Sequence, residues 1–256
     1  MRIVVLVKHV PDLQEDFALS ESGFVVRGDD DVLNSLDENA VQEAVNLGGD
    51  EIIALTMGPV DALDTLRRAL ALGATSAVHV TDERAAGSDI LGSAHVLAAA
   101  ITTIEKDGPV DLIIGGMAAQ DGMGASIPSA LSAILDRPAL TLAHTVSLEG
   151  QTLRIKRSMG KFHDTVEAEL PAILSVTDQA NEVKYPNFKA IMAAKKKTIT
   201  TYDLDDIEVS VPVGAEGAGA KVIAATEHPA KEAGEVITDS GDGGRRLAQF
   251  IKEVLA

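Results

Sequence analysis

The sequence predicts an α/β fold, a mostly parallel doubly wound sheet with an added antiparallel hairpin region and an extended C-terminal arm. Three observations predict it. As far as Pro138, short runs rich in Val and Ile alternate with helical patterns, the signature of a parallel sheet covered on both faces. After Pro138 the pattern turns to period-two segments around a Glu-Gly turn, which is hairpin grammar. Beyond residue 210 the composition loosens into Gly and Ala before a last amphipathic stretch.

Taken in order, "RIVVLV" (2–7), "EIIALTMG" (51–58), "SAVHVTD" (76–82) and "DLIIGG" (111–116) read as buried strands bounded by turn residues. Between them "DENAVQEAVNLG" (37–48), "DALDTLRRALALG" (61–73) and "SDILGSAHVLAAAITTIEKDG" (88–108) each open on a capping Asp or Ser and end at glycine, as helices do. A fourth helix is expected from Ser126 to Leu135. The Ser-Gly turn of "FALSESGFVV" (17–26) predicts a small hairpin, and "LTLAHTVSLEGQTLRIKRSM" (140–159) a larger one. "DTVEAELPAILSVTD" (164–178) continues as strand material, with Pro171 as its break or edge marker. The polar stretch 179–198 carries a short helix near its end. By composition 211–222 is a linker, and the tail ends in a helix with Leu247, Phe250, Ile251 and Leu255 on one side, suited to a partner chain or to docking on its own domain. The domain reading is 1–210 for the α/β body and 211–256 for linker and arm.

Composition narrows the function. The chain has 256 residues, 46% hydrophobic and 3% aromatic, so its core is made of Ala, Val, Leu and Ile. With no cysteine it has no disulfide, thiolate metal site or cysteine nucleophile. A formal charge of −17 repels a phosphate backbone, which argues against nucleic acid. The first apolar run is too short for a signal peptide and no run reaches membrane length, so a cytoplasmic chain without membrane insertion is expected.

The chemistry-bearing stretch is "IIGGMAAQDGMGASIP" (113–128), a buried strand that runs into a turn of glycines and small residues. Bare backbone after a strand lets peptide N–H groups approach a ligand, phosphate above all; a tight strand-to-helix connection is the other reading. The loops at the strand ends, 8–13, 56–61, 81–89 and 115–126, lie where ligands bind in such sheets. Neither a P-loop nor a G-x-G-x-x-G turn is present, and the six histidines lack metal spacing. "SMGK" (158–161) matches S-x-x-K without its companion motifs. "AAKKKT" (193–198) reads as a solvated helix end or as a contact or modification patch. No catalytic residue and no metal site is assigned. The residues describe a chain that holds a nucleotide without reacting with it.

Further segments carry a family resemblance: "VLVKHVPD", "LNSLDENAVQEAV", "ALTMGPVDALDTLRRALALGATSAVHV", "VDLIIGG" with "QDG", and "LPAILSVTDQANEVKYPNFKAIMAAKKKT". The chain resembles the β-subunit family of electron transfer flavoproteins over nearly its whole length. The resemblance implies a Rossmann-like, adenine-nucleotide-binding body in a heterodimer with an α subunit, an electron carrier without bond-making residues of its own. FAD would be shared with the α subunit. This subunit would bind AMP, or a second FAD in electron-bifurcating members. Electrons would come from acyl-CoA dehydrogenases or related flavin dehydrogenases, as in fatty acid oxidation, and leave to a quinone oxidoreductase. A nucleotide-hydrolysing or adenylylating enzyme on the same sheet is the competing class; it lacks its pyrophosphate loop here, where "KHVPDL" stands.

Carried over by position, the resemblance implies a pocket of Leu6, the turn Asn34, Ser35, Leu36 and Asp37, and Met57. The loop Gly116, Met117, Ala118, Ala119, Gln120, Asp121, Gly122, Met123, Gly124, Ala125, Ser126 and Ile127 would complete it. Leu13 and Leu36 would lie against the flavin. The segment 178–197 resembles a recognition loop for dehydrogenases, with Asn187, Phe188 and Ile191 as contacts and Phe188 as the anchor. Ser158 stands where the family often has a glutamate that steadies the partner's flavin domain.

Overall fold

The apolar runs become strands and the capped segments become helices. The computed structural model describes residues 1–12, 18–20, 23–28, 31–226, 229, 231, 234, 236 and 238–255. In chain order the first half contains β1 (Arg2–Leu6), β2 (His9–Val10), β3 (Val32–Leu33), α1 (Ser35–Asn46), β4 (Glu51–Met57), α2 (Ala62–Leu72), β5 (Ser76–Val80), α3 (Ile90–Ile104), β6 (Leu112–Gly116) and α4 (Ile127–Leu135). The second half contains β7 (Ala139–Ala143), β8 (Thr145–Glu149), β9 (Thr152–Met159), β10 (Phe162–Glu169), β11 (Ala172–Val176), α5 (Phe188–Ala194), β12 (Ile199–Tyr202), α6 (Gly214–Gly217) and α7 (Gly243–Leu255).

Seven strands form one sheet in the order β12-β5-β4-β1-β6-β11-β7, and every neighbouring pair is parallel. Strand alternation splits the core. Ile3, Val5 and Val7 face the layer containing Val41, Leu66 and Leu70 of α1 and α2, whereas Val4 and Leu6 face the layer containing Val96, Ile101 and Leu131 of α3 and α4. Each such fully buried side chain contributes about 1.5–3 kcal/mol relative to exposure. The chain builds outward from β1 through β4 to β5, then crosses by α3 to β6 on the other side of β1. That reversal makes the gap between β1 and β6 the switch point of the sheet, where a crevice opens beyond the strand ends.

Of the expected capping residues, Asp89 caps its helix, whereas Asp37 lies within the first turn of α1, after Asn34, and Asp61 precedes α2 without a side-chain cap bond. Asp89 Oδ1 accepts the Gly92 N–H at 2.8 Å to start α3, and Asn187 Oδ1 accepts the Ala190 N–H at 2.9 Å to start α5. α2 stops at Gly73, whose φ of 138° lies in the region that favours glycine. The expected larger hairpin is β8–β9, turning at Gly150, and β10 extends it to a three-stranded antiparallel sheet ordered β10-β9-β8. Of the expected hairpin at 17–26, Leu19 and Val25 form an antiparallel bridge; Phe17, Glu21 and Ser22 lie outside the described residues.

Two features differ from the sequence reading. The short pair β2–β3 and the edge strand β12, parallel to β5, were not anticipated. The chain divides into units 1–223 and 224–256. Within the first, the stretch expected as linker is tied down: the N–H groups of Gly214, Ala215 and Gly219 donate to Ser88 Oγ at 2.7 Å, Ala86 O at 2.9 Å and Asp89 Oδ2 at 2.8 Å. Within the second, α7 exposes Leu247, Phe250, Ile251, Val254 and Leu255. Among the described residues no helix is long and apolar enough to cross a membrane.

Candidate functional site

A cavity of about 320 Å³ lies beyond the strand ends at the switch point. Leu6, Val7 and Lys8 bring β1 to it, Leu55 and Met57 bring β4, and Gly115 with Gly116 bring β6. The loop after β6 supplies Met117, Ala118, Ala119, Gly122, Gly124, Ala125, Ser126, Ile127 and Pro128. The facing wall is the start of α3, with Ser88, Asp89, Ile90, Ser93 and Leu97. The strand-derived walls are aliphatic and the turn is mostly bare backbone, a combination suited to a flat apolar ring carrying an anionic group.

Asp37, in the first turn of α1, is the buried carboxylate of this site. Its Oδ2 accepts the Lys8 N–H at 2.9 Å and its Oδ1 accepts the Gly116 N–H at 3.2 Å. Burial pushes its carboxyl up to about 7, although the Asn34 side chain and the two backbone donors pull the other way. Gly116 must be glycine here, because a Cβ would lie 2.5 Å from Asp37 Oδ1.

The loop 117–126 is fastened from outside the cavity. Asn34, fully buried, donates through Nδ2 to Ala118 O at 2.9 Å, and its Oδ1 accepts the Gln120 N–H at 3.1 Å. Gln120 Oε1 accepts the Ser35 N–H at 3.3 Å. The buried Asp121 carboxylate takes Lys8 Nζ and Arg27 Nη2, each at 2.9 Å. Burial pushes Asp121 up, but these two cations outweigh it and hold the carboxyl below its ordinary value. Met123 and Ala125 adopt positive φ, 46° and 50°, so the loop is a wound turn held by its neighbours.

The two helices that begin at the cavity differ. α3 is capped by the Asp89 carboxylate, which a Gly92 N–H bond, first, and other backbone donors keep below the usual range despite some burial. α4 has no side-chain cap: Ser126 Oγ donates to Gly124 O at 2.6 Å, and Pro128 sits in the first turn. The positive end of the α4 dipole is therefore left for a ligand.

Of the residues expected at the pocket, Leu6, Asp37, Met57, Gly116, Met117, Ala118, Ala119, Gly122, Gly124, Ala125, Ser126 and Ile127 line the cavity. Asn34, Ser35, Gln120 and Asp121 hold its loop, Leu36 is half-buried in the first turn of α1, and Met123 is exposed beside the turn. Leu13 lies outside the described residues. Lys8, Ser88 and Asp89 come from the loops 8–13 and 81–89, which were expected at the ligand-binding end of the sheet, and all three line the cavity. Ile90, Ser93 and Leu97 of α3 were not expected there, since an apolar run after Ser-Asp reads as an ordinary helix start.

Residues 22–207 match the electron transfer flavoprotein domain family. Across 260 aligned residues, covering 97% of each chain, the sequence is 40% identical to the electron transfer flavoprotein subunit beta of Mycobacterium leprae. The chain belongs to the electron transfer flavoprotein β-subunit family. The same subunit of Mycobacterium tuberculosis is 39% identical over 97% of both chains. The Caffeyl-CoA reductase-Etf complex subunit CarD of Acetobacterium woodii is 32% identical, over 93% of this chain and 92% of its own.

The signature segment of this electron transfer flavoprotein subunit lies along α1. Asn181 Nδ2 donates to Asn39 O at 3.1 Å and to Glu43 Oε2 at 2.7 Å, and the Lys184 N–H donates to Gln42 Oε1 at 3.0 Å. Beyond this anchorage Tyr185 and Phe188 stand 88% and 77% exposed, with Ile191 and Met192 partly exposed beside them. The lysine run divides: Lys197 Nζ donates to Ala74 O at 2.6 Å, while Lys195 and Lys196 are exposed. Ser158 Oγ lies 3.0 Å from His163 Nδ1 across β9 and β10, on an exposed surface. His9 and His79 are buried against Thr65 Oγ1 at 3.0 Å and Gly58 O at 3.1 Å, and His228 lies outside the described residues.

Proposed function

We propose that this chain is the β subunit of a heterodimeric electron carrier that holds AMP in the cavity at the switch point and shares a FAD with an α subunit. The observation that carries the nucleotide reading is the pairing of aliphatic strand ends with an uncapped helix start in one cavity. Leu6, Leu55, Met57 and Leu97 offer surface for a base, and the backbone of 124–127 offers donors for one phosphate. Lys8, already paired with Asp121, leaves anion binding to backbone groups. A volume of about 320 Å³ lies near the low end of the roughly 300–1,000 Å³ typical of small-molecule sites, which favours a mononucleotide over a dinucleotide.

The flavin supplies the electron chemistry when bound. This chain contributes the nucleotide that stiffens its strand ends, a wall against the α subunit and the exposed loop around Phe188. That loop docks dehydrogenases of the acyl-CoA type, and the carrier then reduces a quinone-linked acceptor. Purifying the heterodimer, denaturing it and separating the released nucleotides tests the assignment. Equal amounts of FAD and AMP are expected. FAD alone, at twice that ratio, replaces it with the bifurcating form, and absence of any adenine nucleotide beyond the shared FAD overturns the cavity reading.

A further inference from the structure

Asp89 stands in the cavity wall with both carboxylate oxygens engaged by backbone. Oδ1 accepts the Gly92 N–H at 2.8 Å and closes the start of α3, and Oδ2 accepts the Gly219 N–H at 2.8 Å from the strap that crosses the 84–89 loop. These bonds favour its ionised form, so the cavity contains a fixed negative charge. It lies on the wall facing the glycine turn, and the two walls are close: a Cβ on Gly124 would be 3.5 Å from Ile90 Cδ1, the residue after Asp89. The lining cation that would offset it, Lys8, is bound to Asp121. Asp37 is a second carboxyl in the same lining.

A phosphate monoester at the turn before α4 meets free backbone donors on its own side. A second phosphate held in the cavity shares its lining with Asp89, whose like charge opposes it. The dipole of α3, which would have welcomed it, is already satisfied by Asp89 itself.

We propose that Asp89 is a specificity-determining residue that restricts the cavity to nucleoside monophosphates by repelling the further phosphates of diphosphates, triphosphates and dinucleotides. The inference rests on the nucleotide reading above and adds the group that selects the monophosphate.

Calorimetric titration of the nucleotide-depleted heterodimer with AMP, ADP and ATP tests it, comparing wild type with Asp89→Asn. Wild type is expected to bind AMP more tightly than ADP by about tenfold, the effect of one like charge at close range. Asp89→Asn keeps an oxygen for the α3 cap and should narrow the ratio to within about threefold. Gly219→Pro deletes the same strap bond while leaving the charge, and should keep the wild-type ratio; it separates charge from local loosening. Equal binding of AMP and ADP by wild type, an unchanged ratio in Asp89→Asn, or an equal narrowing in Gly219→Pro overturns the proposal alone. Binding of none of the three nucleotides by wild type overturns the nucleotide reading, and this proposal with it.

Discussion

Gly116 and Asp37 meet at the centre of the switch point: the Gly116 N–H donates to Asp37 Oδ1 at 3.2 Å, with no room for a side chain between them. The other Asp37 oxygen holds the Lys8 N–H. One carboxylate thus ties together the ends of β1 and β6, the two strands on either side of the switch point. A sheet with this topology opens at that gap, and Asp37 bonds to both of its sides.

This tie has a pH cost. The Asp37 carboxyl is raised by burial from an ordinary 3.8 to about 7. Between those values the folded chain keeps a proton that the unfolded chain has released. Stability therefore falls as pH rises through that window, by up to about 1.4 kcal/mol per pH unit, and levels off above it. His9 and His79, which burial pushes below their ordinary value, act in the opposite sense, since the unfolded chain binds their protons first. The expected signature is in the difference between wild type and Asp37→Asn. Urea midpoints taken from pH 5 to pH 8 should show wild type losing ground to the variant as pH rises. Parallel curves would mean that Asp37 has no such role.

Asn34→Ala removes the clamp on the glycine loop. The side chain is fully buried and serves both Ala118 O and the Gln120 N–H. Deleting it leaves a buried acceptor and a donor unpaired, at a cost of about 2–4 kcal/mol. Hydrogen exchange should show the amides of 118–123 opening more often, with those of the outer strand β5 unchanged. Uniform acceleration across the sheet would point to global destabilisation and away from a local clamp.

The parts legible in the sequence are those with local causes. The strands around β1 and β6 were readable because Ile3 to Val7 and Leu112 to Ile114 are continuous apolar runs, which only a sheet buried on both faces requires. Of the helices, α3 was readable from its Asp89 cap and α2 from the glycine at its end. The pair β2–β3 was not, since two residues on each side carry no periodicity, and β12 was not, since "ITTY" at a sheet edge is as polar as a loop. The cavity divides along the same line. Its glycine turn announces itself and the loop 81–89 was expected at the same end, but the wall of Ile90, Ser93 and Leu97 exists only because α3 crosses the switch point, and that is a property of strand order. The strap at 214–219 was hidden for another reason: its bonds use backbone N–H groups, which are the same in every sequence.

Gly124→Val probes the mouth of the cavity. Gly124 carries no positive φ, and a Cβ there meets Ile90 Cδ1 at an ordinary 3.5 Å, so the backbone tolerates a side chain. The two further methyls of valine fill the space between the turn and α3. Nucleotide retained through purification should fall below about a tenth of the wild-type amount, the consequence of losing more than about 1.4 kcal/mol of binding. Circular dichroism should be unchanged. Full retention would place the nucleotide elsewhere.

Phe188 opens α5 directly after the Asn187 cap, and its ring is 77% exposed. A ring held under the short helix as a local staple would be covered, so the exposure favours an anchor for another protein. Its support is fixed upstream: Asn187 Oδ1 caps the helix, and Asn181 is bonded to α1. An aromatic ring presented on a held backbone loses little entropy when it enters a partner's pocket, and truncating such an anchor costs upwards of about 2 kcal/mol, or more than roughly thirtyfold in affinity. Phe188→Ala should therefore slow electron transfer from the cognate dehydrogenase by about that factor at subsaturating concentration. The melting temperature, the flavin content and assembly with the α subunit should stay at wild-type values, because an exposed ring contributes little to the core. A variant that melts early and loses flavin in proportion would assign the ring to the fold. An unaltered transfer rate in a stable variant would move the docking surface away from this loop.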